Sequence, residues 1–207
     1  MGERVRVRGR MKRRETTMRQ DGMVRKGIVL ALGLALAGCA TASMGGPMAQ
    51  PPKVMLDRVE VSSYFPWAAP PARVPLGMAF VFNIENPNDV PVVLEDFKFT
   101  FAFEAAPGQF FPLGTPIAYE RLATPGRGTN QLRVVTILDS MIVPGTLAVT
   151  SGYRLGPLNL RAPDVVKTWW EKVGDFGFGI KVSEGTATFT TGDDSKLVTF
   201  EGTFPKR

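Results

Sequence analysis

The chain has 207 residues, of which 44% are hydrophobic, so it is long enough for one globular domain with additional segments and too apolar to be disordered throughout. It contains no histidine and one cysteine, which excludes an intrachain disulfide and a cysteine-built zinc site and removes the commonest general base. The formal net charge of +6 would indicate a nucleic-acid or membrane-surface protein only if the basic residues were spread over the fold.

The basic residues are concentrated near the start of the chain. Ten of the 25 lysines and arginines precede Cys39, with three of the 19 acidic residues, which leaves 15 basic and 16 acidic residues from there on. The part after residue 38 is therefore close to neutral. Because the basic leader would be removed with a signal peptide or stay in the cytoplasm, we expect no nucleic-acid partner.

Residues 25–39 have the order of a secretory signal: Arg-Lys, then apolar residues 27–37, then a small residue and a cysteine. The apolar stretch is shorter than the roughly 20 residues that a membrane-spanning helix needs. The four residues before and at the predicted cleavage site match the bacterial lipobox, which resembles the sequence that lipoprotein signal peptidase recognises: Leu36, Ala37, Gly38 and Cys39. An ordinary signal with a chance cysteine is the alternative, but the only cysteine occupies the one position that lipidation requires.

We therefore expect residues 1–38 to be a basic leader and lipoprotein signal peptide, with Met23 as the true start. Residues 39–52 are predicted to be a lipidated tether, since they are small, uncharged and rich in Gly and Pro. The thirteen residues 40–52 reach at most ~45 Å at ~3.4 Å each. The membrane, contacted through lipid on Cys39, is the first expected partner. In Gram-negative lipoproteins, the absence of Asp directly after the lipidated cysteine resembles the default pattern for transfer to the outer membrane. Ala40 has that position here, which favours the periplasmic side of the outer membrane in a Gram-negative host.

From Lys53 the sequence alternates with period two, which is typical of strands with one buried face. In the clearest segment, Met78 to Ile84 places apolar side chains on one face. The next places Val93 and Phe97 to Phe103 inward, against outward Asp96 and Lys98. Further strands are predicted near 54–63, 110–120, 130–138 and 146–155, with a closing hairpin of 176–190 and 196–204 and a β-bulge at 183–185.

One short helix is predicted at residues 163–173, with Pro163 in its first turn, Asp164 near its positive end and Gly174 as a stop. Val166, Trp169, Trp170 and Val173 share one face. This face either covers an open end of the sheets or docks a partner through Trp169 and Trp170. With about seven strands, residues 53–207 are predicted to form a single all-β domain, an antiparallel Ig/fibronectin-III-like β-sandwich preceded by the signal peptide and linker.

Between the two clearest strands lies Asn86-Pro87-Asn88, in which Pro87 keeps Asn86 extended and Asn88 suits a turn. These residues predict a structural corner between two strands. Together with Pro52-Lys53-Val54, the strand 80–85, and Pro91 followed by Leu94 and the 97–103 strand, the segment resembles the type-2 late-embryogenesis-abundant family, also called the water stress and hypersensitive response (WHy) domain. The resemblance covers roughly 53–204 and departs at the predicted helix.

The resemblance implies a fibronectin-like sandwich, an association with desiccation and stress tolerance, and no catalytic centre. We therefore expect a membrane-anchored, non-catalytic lipoprotein of the cell envelope that protects or binds client proteins, without metal or other cofactor. The alternative is a structural accessory of an envelope secretion, transport or motility complex. An enzyme is disfavoured, because four acidic residues fall on outward strand faces where solvated charge is normal: Glu85, Asp96, Glu104 and Glu201.

Overall fold

The computed structural model describes residues 48–206. The strands are β1 (Lys53–Tyr64), β2 (Pro75–Glu85), β3 (Val92–Ala106), β4 (Gln109–Gly114), β5 (Ile117–Ala118), β6 (Leu122–Thr124), β7 (Thr129–Asp139), β8 (Ile180–Thr191) and β9 (Asp194–Phe204). Two helices, α1 (Val143–Leu155) and α2 (Ala162–Lys172), lie between β7 and β8, and each is followed by one turn of 3-10 helix. No helix among residues 48–206 is long and apolar enough to cross a membrane.

The strands form two antiparallel sheets, as expected for an all-β sandwich. The first has the order β1-β2-β7, and the second has the order β4-β3-β8-β9 with the short strands β5 and β6 also paired to β3. The described part has nine strands instead of about seven. The segment predicted as one strand at 110–120 divides into β4 and β5 around Pro116, β6 is not among the predicted strands, and the segment predicted at 146–155 is not a strand. A proline cannot donate to a strand ladder, which accounts for the division.

Phenylalanine rings join the two sheets. Phe80 and Phe82 of β2 meet Phe99 of β3 at ring-centroid distances of 5.1 and 5.0 Å, both in edge-to-face geometry. Phe82 also meets Phe97 at 4.9 Å and Phe200 of β9 at 5.4 Å. Such aromatic pairs stabilise a core beyond the area they bury, by ≈ 0.5–1.5 kcal/mol each. The predicted inward face from Met78 to Ile84 is confirmed, since all four of its apolar residues are buried.

The predicted inward face of β3 is confirmed from Phe97 to Phe103 and wrong at Val93. Val92 and Leu94 are buried, whereas Val93 is only partly buried. The pairing of β3 with β8 shifts between Leu94 and Asp96, so an extra residue reverses the phase of the strand there. The predicted bulge in β8 is confirmed, because the pairing with β9 shifts between Val182 and Gly185.

The segment predicted as a strand at 146–155 is instead the helix α1. Its buried residues recur every four positions, at Val143, Leu147, Ser151 and Leu155, which is a helical stripe. Arg154 lies 4.5 Å from the centre of the Phe111 ring of β4, so the helix packs against the edge of the second sheet. Val149, Thr150 and Tyr153 favour strands locally, but this packing decides the structure.

An ion pair links the loop before β2 to the end of β7. The Arg73 guanidinium donates from Nε to the Asp139 carboxylate at 2.9 Å, and the Met141 backbone N–H donates to the same carboxylate. The hydrogen bond from Arg73 is the largest cause that holds the pKa of Asp139 below its usual value of 3.8. A carboxyl whose pKa is lower in the folded than in the unfolded state stabilises the fold at pH values above its unfolded-state pKa. This stabilisation is lost as the pH falls through the folded-state pKa.

We therefore expect Arg73→Gln to unfold at a lower temperature than the wild type at neutral pH, and the difference to disappear in acid. The pKa of Asp139, followed by carboxyl-carbon NMR, should rise in this variant. Arg127→Gln is the matched control, because Arg127 pairs with Asp89 and should leave the pKa of Asp139 unchanged. A difference in unfolding temperature that persists below the Asp139 pKa would contradict this account.

Candidate functional site

The strand directions give the described domain two poles. One pole holds the starts of β1, β3, β7 and β9 and the ends of β2 and β8. Lys53 at the start of β1 is paired there with Glu85 at the end of β2. Because the chain enters β1 here, we call it the tether pole. Both helices and the loop 65–74 lie at the opposite pole, where β7 ends and β8 begins, and we call this the helical pole. The predicted motif residues Asn86, Pro87 and Asn88 lie at the tether pole, and the predicted docking residues Trp169 and Trp170 at the helical pole.

Asn86 is a buried polar centre of the tether pole. Its side-chain amide nitrogen donates to the carbonyl oxygens of Val90, Thr124 and Pro125 at 2.8, 3.2 and 3.1 Å. Its Oδ1 accepts from the backbone and side-chain nitrogens of Asn88, both at 3.0 Å. Buried amides need such partners, because an unmet polar group costs ≈ 1–3 kcal/mol. The motif is therefore a structural corner that joins the β2–β3 loop to the loop after β6.

Asn88 extends this network to the end of the predicted tether. Gln50 donates its backbone N–H to Asn88 Oδ1 at 2.9 Å and accepts from Asn88 Nδ2 at 2.8 Å. Met48 is buried, and its backbone N–H donates to Asp194 at 2.9 Å. We call this set the tether clasp: Met48, Gln50, Asn86, Asn88 and Asp194. Residues 48–52 of the predicted tether therefore lie against the domain.

The predicted lipidation site Cys39 and the lipobox residues Leu36, Ala37 and Gly38 lie outside the described residues. Eight residues, and so nine Cα-to-Cα steps, separate Cys39 from Met48. Fully extended, they reach at most ~31 Å at ~3.4 Å each. An anchor at Cys39 would therefore hold the tether pole within that distance of its attachment.

At the helical pole, the predicted helix face Val166, Trp169, Trp170 and Val173 is buried, which matches the covering interpretation. Trp169 donates from Nε1 to the Glu104 carbonyl oxygen at 2.8 Å, and its ring meets Phe103 edge-to-face at 5.5 Å. Trp170 meets Trp67 at 6.2 Å. The docking interpretation is corrected for both rings, because 1% and 0% of their surfaces are exposed. They close the end of the sandwich by filling its core.

A cleft of about 430 Å³ opens beside Trp169, between α2 and the end of β3. We call it the distal cleft. Its apolar walls come from Ala105, Leu160, Val165, Trp169 and Phe178. Arg161, Asp164 and Lys172 add charge, and Arg161 and Asp164 approach each other only to 3.8 Å. An apolar surface bordered by charges of both signs suits the side chains and backbone of a protein segment.

Glu104 also borders the distal cleft, and its predicted role as a solvated outward charge is wrong. Its carboxylate accepts from the backbone N–H groups of Gly108 at 2.8 Å and Gly179 at 2.9 Å. Glu104 thus holds the β3–β4 turn against the start of β8. The sequence shows the carboxylate but not this role, because Gly108 and Gly179 approach it only after the chain folds.

A second feature of the helical pole is a set of exposed apolar residues on α1 and near the end of β7. Val149 and Tyr153 of α1 are 87% and 79% exposed, and Ile137 of β7 is 72% exposed. Ile142, at the junction of the two elements, is also exposed. Val149 and Tyr153 are four residues apart, so they lie on the same face of α1 and form an exposed apolar stripe there. Among residues 48–206 no three His, Cys, Asp or Glu side chains are placed to hold a metal ion.

No protein-family model matches the chain, and no curated protein matches it significantly. Two solved structures are similar to it at 12% identity. One is a crystal structure of a protein from Archaeoglobus fulgidus, covering 76% of this chain and 97% of that chain with a TM-score of 0.35. The other is an X-ray structure of a Northeast Structural Genomics Consortium target, covering 75% of this chain and 88% of that chain with a TM-score of 0.37. These values lie below the level at which a shared function follows.

Proposed function

We propose that the protein is a membrane-anchored lipoprotein whose non-catalytic sandwich binds a partner or client protein in the cell envelope. In a host with two membranes, the proposed site is the outer membrane, facing the periplasm. The observation that carries the proposal is the opposition of the two poles. The tether clasp fixes the entering chain at one pole, and the distal cleft lies at the other.

This opposition supports a particular orientation. β2 has 11 residues between the poles, which corresponds to about 36 Å at ~3.3 Å per residue. With lipid on Cys39, the tether pole would face the membrane and the distal cleft would face away from it. Several acyl chains would make this attachment nearly permanent, since each buried CH₂ contributes ≈ 0.8 kcal/mol. Such a domain is suited to meeting proteins of the envelope space.

Cys39→Ala tests the attachment. We expect the wild type expressed in its native host to carry an acyl-sized mass and to sediment with membranes, and the variant to lack both. Ser43→Ala, four residues further on, is the matched control and should behave as the wild type. Intact mass and membrane fractionation are the measurements. An unlipidated, soluble wild type would contradict the proposal.

Thr168→Arg tests the distal cleft. Thr168 is exposed and lines the cleft, so a long charged side chain there should block it without disturbing the core. We expect the tethered wild type to crosslink to envelope proteins. Thr168→Arg should reduce the amount captured at least about tenfold, which corresponds to about 1.4 kcal/mol of binding free energy. Glu171→Arg adds the same side chain on α2 outside the cleft and should retain them. Equal capture by both variants would rule out the cleft as the binding surface.

The alternative function, a structural accessory of an envelope complex, is favoured by the exposed apolar residues Val149 and Tyr153 of α1. In that case Val149→Arg should release a stoichiometric partner while Thr168→Arg has no effect. The protective role that the late-embryogenesis-abundant resemblance implies is tested separately by drying a client enzyme with the purified protein. Protection no greater than that given by an inert sandwich of similar size would argue against it.

A further inference from the structure

The helix α1 has apolar side chains on two sides, and the domain covers only one of them. The covered row packs against the rest of the domain: Val143, Leu147, Ser151 and Leu155. A second row has a spacing of 4, 3 and 4 residues, and all its members are exposed: Ile142, Thr146, Val149 and Tyr153. Ile142 directly precedes α1 but has helical backbone angles. At 3.6 residues per turn, the centres of the two rows lie about 150° apart around the helix. We call the second row the α1 stripe.

The exposed side of α1 carries no charge. Arg154 is the only charged residue of α1, and its guanidinium lies 4.5 Å from the centre of the Phe111 ring, turned towards the second sheet. A helix that is apolar all round is normally covered all round. Residues 39–47 do not supply the cover, because they reach at most ~31 Å from Met48 and the poles lie about 36 Å apart. The α1 stripe therefore indicates a cover from another molecule.

Two glycines beside the stripe have no evident role within the domain. Gly145 and Gly152 are seven residues apart, so they lie on the same side of α1. Neither has a positive φ, and a Cβ on either would have no neighbour within 4 Å in the described domain beyond the helix backbone. Glycine inside a helix is destabilising relative to alanine, so the fold alone favours another residue at both positions. Glycine does allow a second backbone to approach closely, which favours a helix as the cover.

The α1 stripe matches a second copy of itself. A spacing of 4, 3 and 4 is the a/d pattern of paired helices, in which side chains of one helix enter gaps of the other. In an antiparallel pair with a two-fold axis, Ile142 of each copy faces Tyr153 of the other. Thr146 of each copy likewise faces Val149 of the other. Because the stripe is uncharged, two identical surfaces meet without like-charge repulsion.

The glycines match the same arrangement. The two-fold axis that brings Ile142 to Tyr153 also places Gly145 of one copy beside Gly152 of the other. The two missing side chains let the helix backbones come together there and leave space for the Tyr153 ring. One helix thus supplies both the protruding ring and the gap that receives it, which favours a second copy over an unrelated helix.

We propose that α1 pairs antiparallel with α1 of a second copy of the chain. The pairing goes beyond the proposed function, since it requires neither lipid on Cys39 nor a client in the distal cleft. The structural-accessory alternative would place a different protein on the same stripe. The test therefore has to identify what the stripe contacts.

Disulfide crosslinking of the full chain in its native host tests the pairing. The double variant Thr146→Cys/Val149→Cys has thiols that face each other across the axis, so a membrane-permeant oxidant should link two copies into a dimer. The control Ala148→Cys/Glu171→Cys has exposed thiols as well, and Ala148 lies about 130° from the stripe. It should give at least about tenfold less dimer, because its thiols are not held together. The unchanged chain, with Cys39 alone, gives the background. A dimer through Cys39 would count against lipidation and not against the pairing.

Gly152→Leu, added to the double variant, gives a second readout. The variant should unfold at a higher temperature, because leucine favours a helix and a Cβ at this position meets nothing in the domain. It should also lower the dimer yield at least about tenfold, because the new side chain holds the two helices apart. Ala148→Leu adds the same side chain away from the stripe and should leave the yield unchanged.

Three results would overturn the proposal. The first is a dimer yield from the stripe variant no higher than that of its control. The second is an unchanged yield with Gly152→Leu. The third is a disulfide from the stripe to a different protein, which would support the structural-accessory function instead.

Discussion

Asn86→Ala is expected to destabilise the domain by about 3–4 kcal/mol, although it removes only a small polar side chain. The change removes one hydrogen bond from each of three carbonyl oxygens, of Val90, Thr124 and Pro125, and from two nitrogens of Asn88. Pro125 O keeps the bond from Gly128 N–H and Asn88 Nδ2 keeps the bond to Gln50 O, so fewer than five groups are left unmet. Each unmet buried group costs ≈ 1–3 kcal/mol, and water entering the gap recovers part of the total. Urea unfolding followed by tryptophan fluorescence measures the free energy of unfolding.

Asn83→Ala is the control for this prediction. Asn83 lies on β2, three residues before Asn86, but its side chain is on the outer face and accepts one exposed hydrogen bond, from Gln131 at 2.9 Å. It should cost less than about 0.5 kcal/mol. If the two variants differ by less than about 1 kcal/mol, the hydrogen-bonded centre at Asn86 does not hold the pole together. Asn86→Asp should be as damaging as the alanine, because it places a carboxylate against three carbonyl oxygens.

Trp169→Ala is expected to cost about 3–5 kcal/mol, the range for deleting a large aromatic side chain from a packed core. The ring meets Phe103 at 5.5 Å and Phe178 at 6.4 Å, and Nε1 satisfies the Glu104 carbonyl oxygen. Without the ring, α2 loses its main contact with the end of β3. Amide hydrogen exchange should then show α2 opening before the sheets.

Trp169→Phe separates packing from hydrogen bonding. It keeps an aromatic ring but loses the bond to Glu104, so about 1–2 kcal/mol is expected. Thr168→Ala, one residue earlier and exposed, should be nearly neutral. Equal costs for the alanine and phenylalanine variants of Trp169 would mean that the hydrogen bond matters more than the packing of the ring.

The regular strands could be predicted because their burial follows directly from the order of residues. Met78, Phe80, Phe82 and Ile84 stand at every second position and are buried, as are the four phenylalanines from Phe97 to Phe103. The opposite face of β2 is not exposed as the alternation predicts, since Ala79 and Val81 are buried as well. The bulge in β8 was visible for the same reason, since Ala187 and Phe189 fall out of phase with Ile180 and Val182. The β3 bulge was not, because apolar residues stand at 92, 93 and 94 and either phase fits the pattern.

The helix α1, the tether clasp and the distal cleft depend on contacts between distant parts of the chain. Nothing in residues 143–155 indicates that Phe111 will lie under Arg154. Gln50 lies among residues with the composition of a linker, and only the folded structure shows that the Asn88 side chain binds its backbone. Thr100 likewise contacts Thr115 and Glu184, which lie 15 and 84 residues further along the chain.

The tether clasp also determines how the domain would bear a mechanical load. A partner held at the helical pole and lipid held at Cys39 would pull in opposite directions along the strands. β1 lies beside β2 from Lys53 opposite Glu85 to Tyr64 opposite Leu76, so tension entering through residues 48–52 would slide one strand past the other. In that geometry the hydrogen bonds of the pair resist together instead of opening one after another. The domain would thus stay folded under a pull that easily unzips a hairpin from its end.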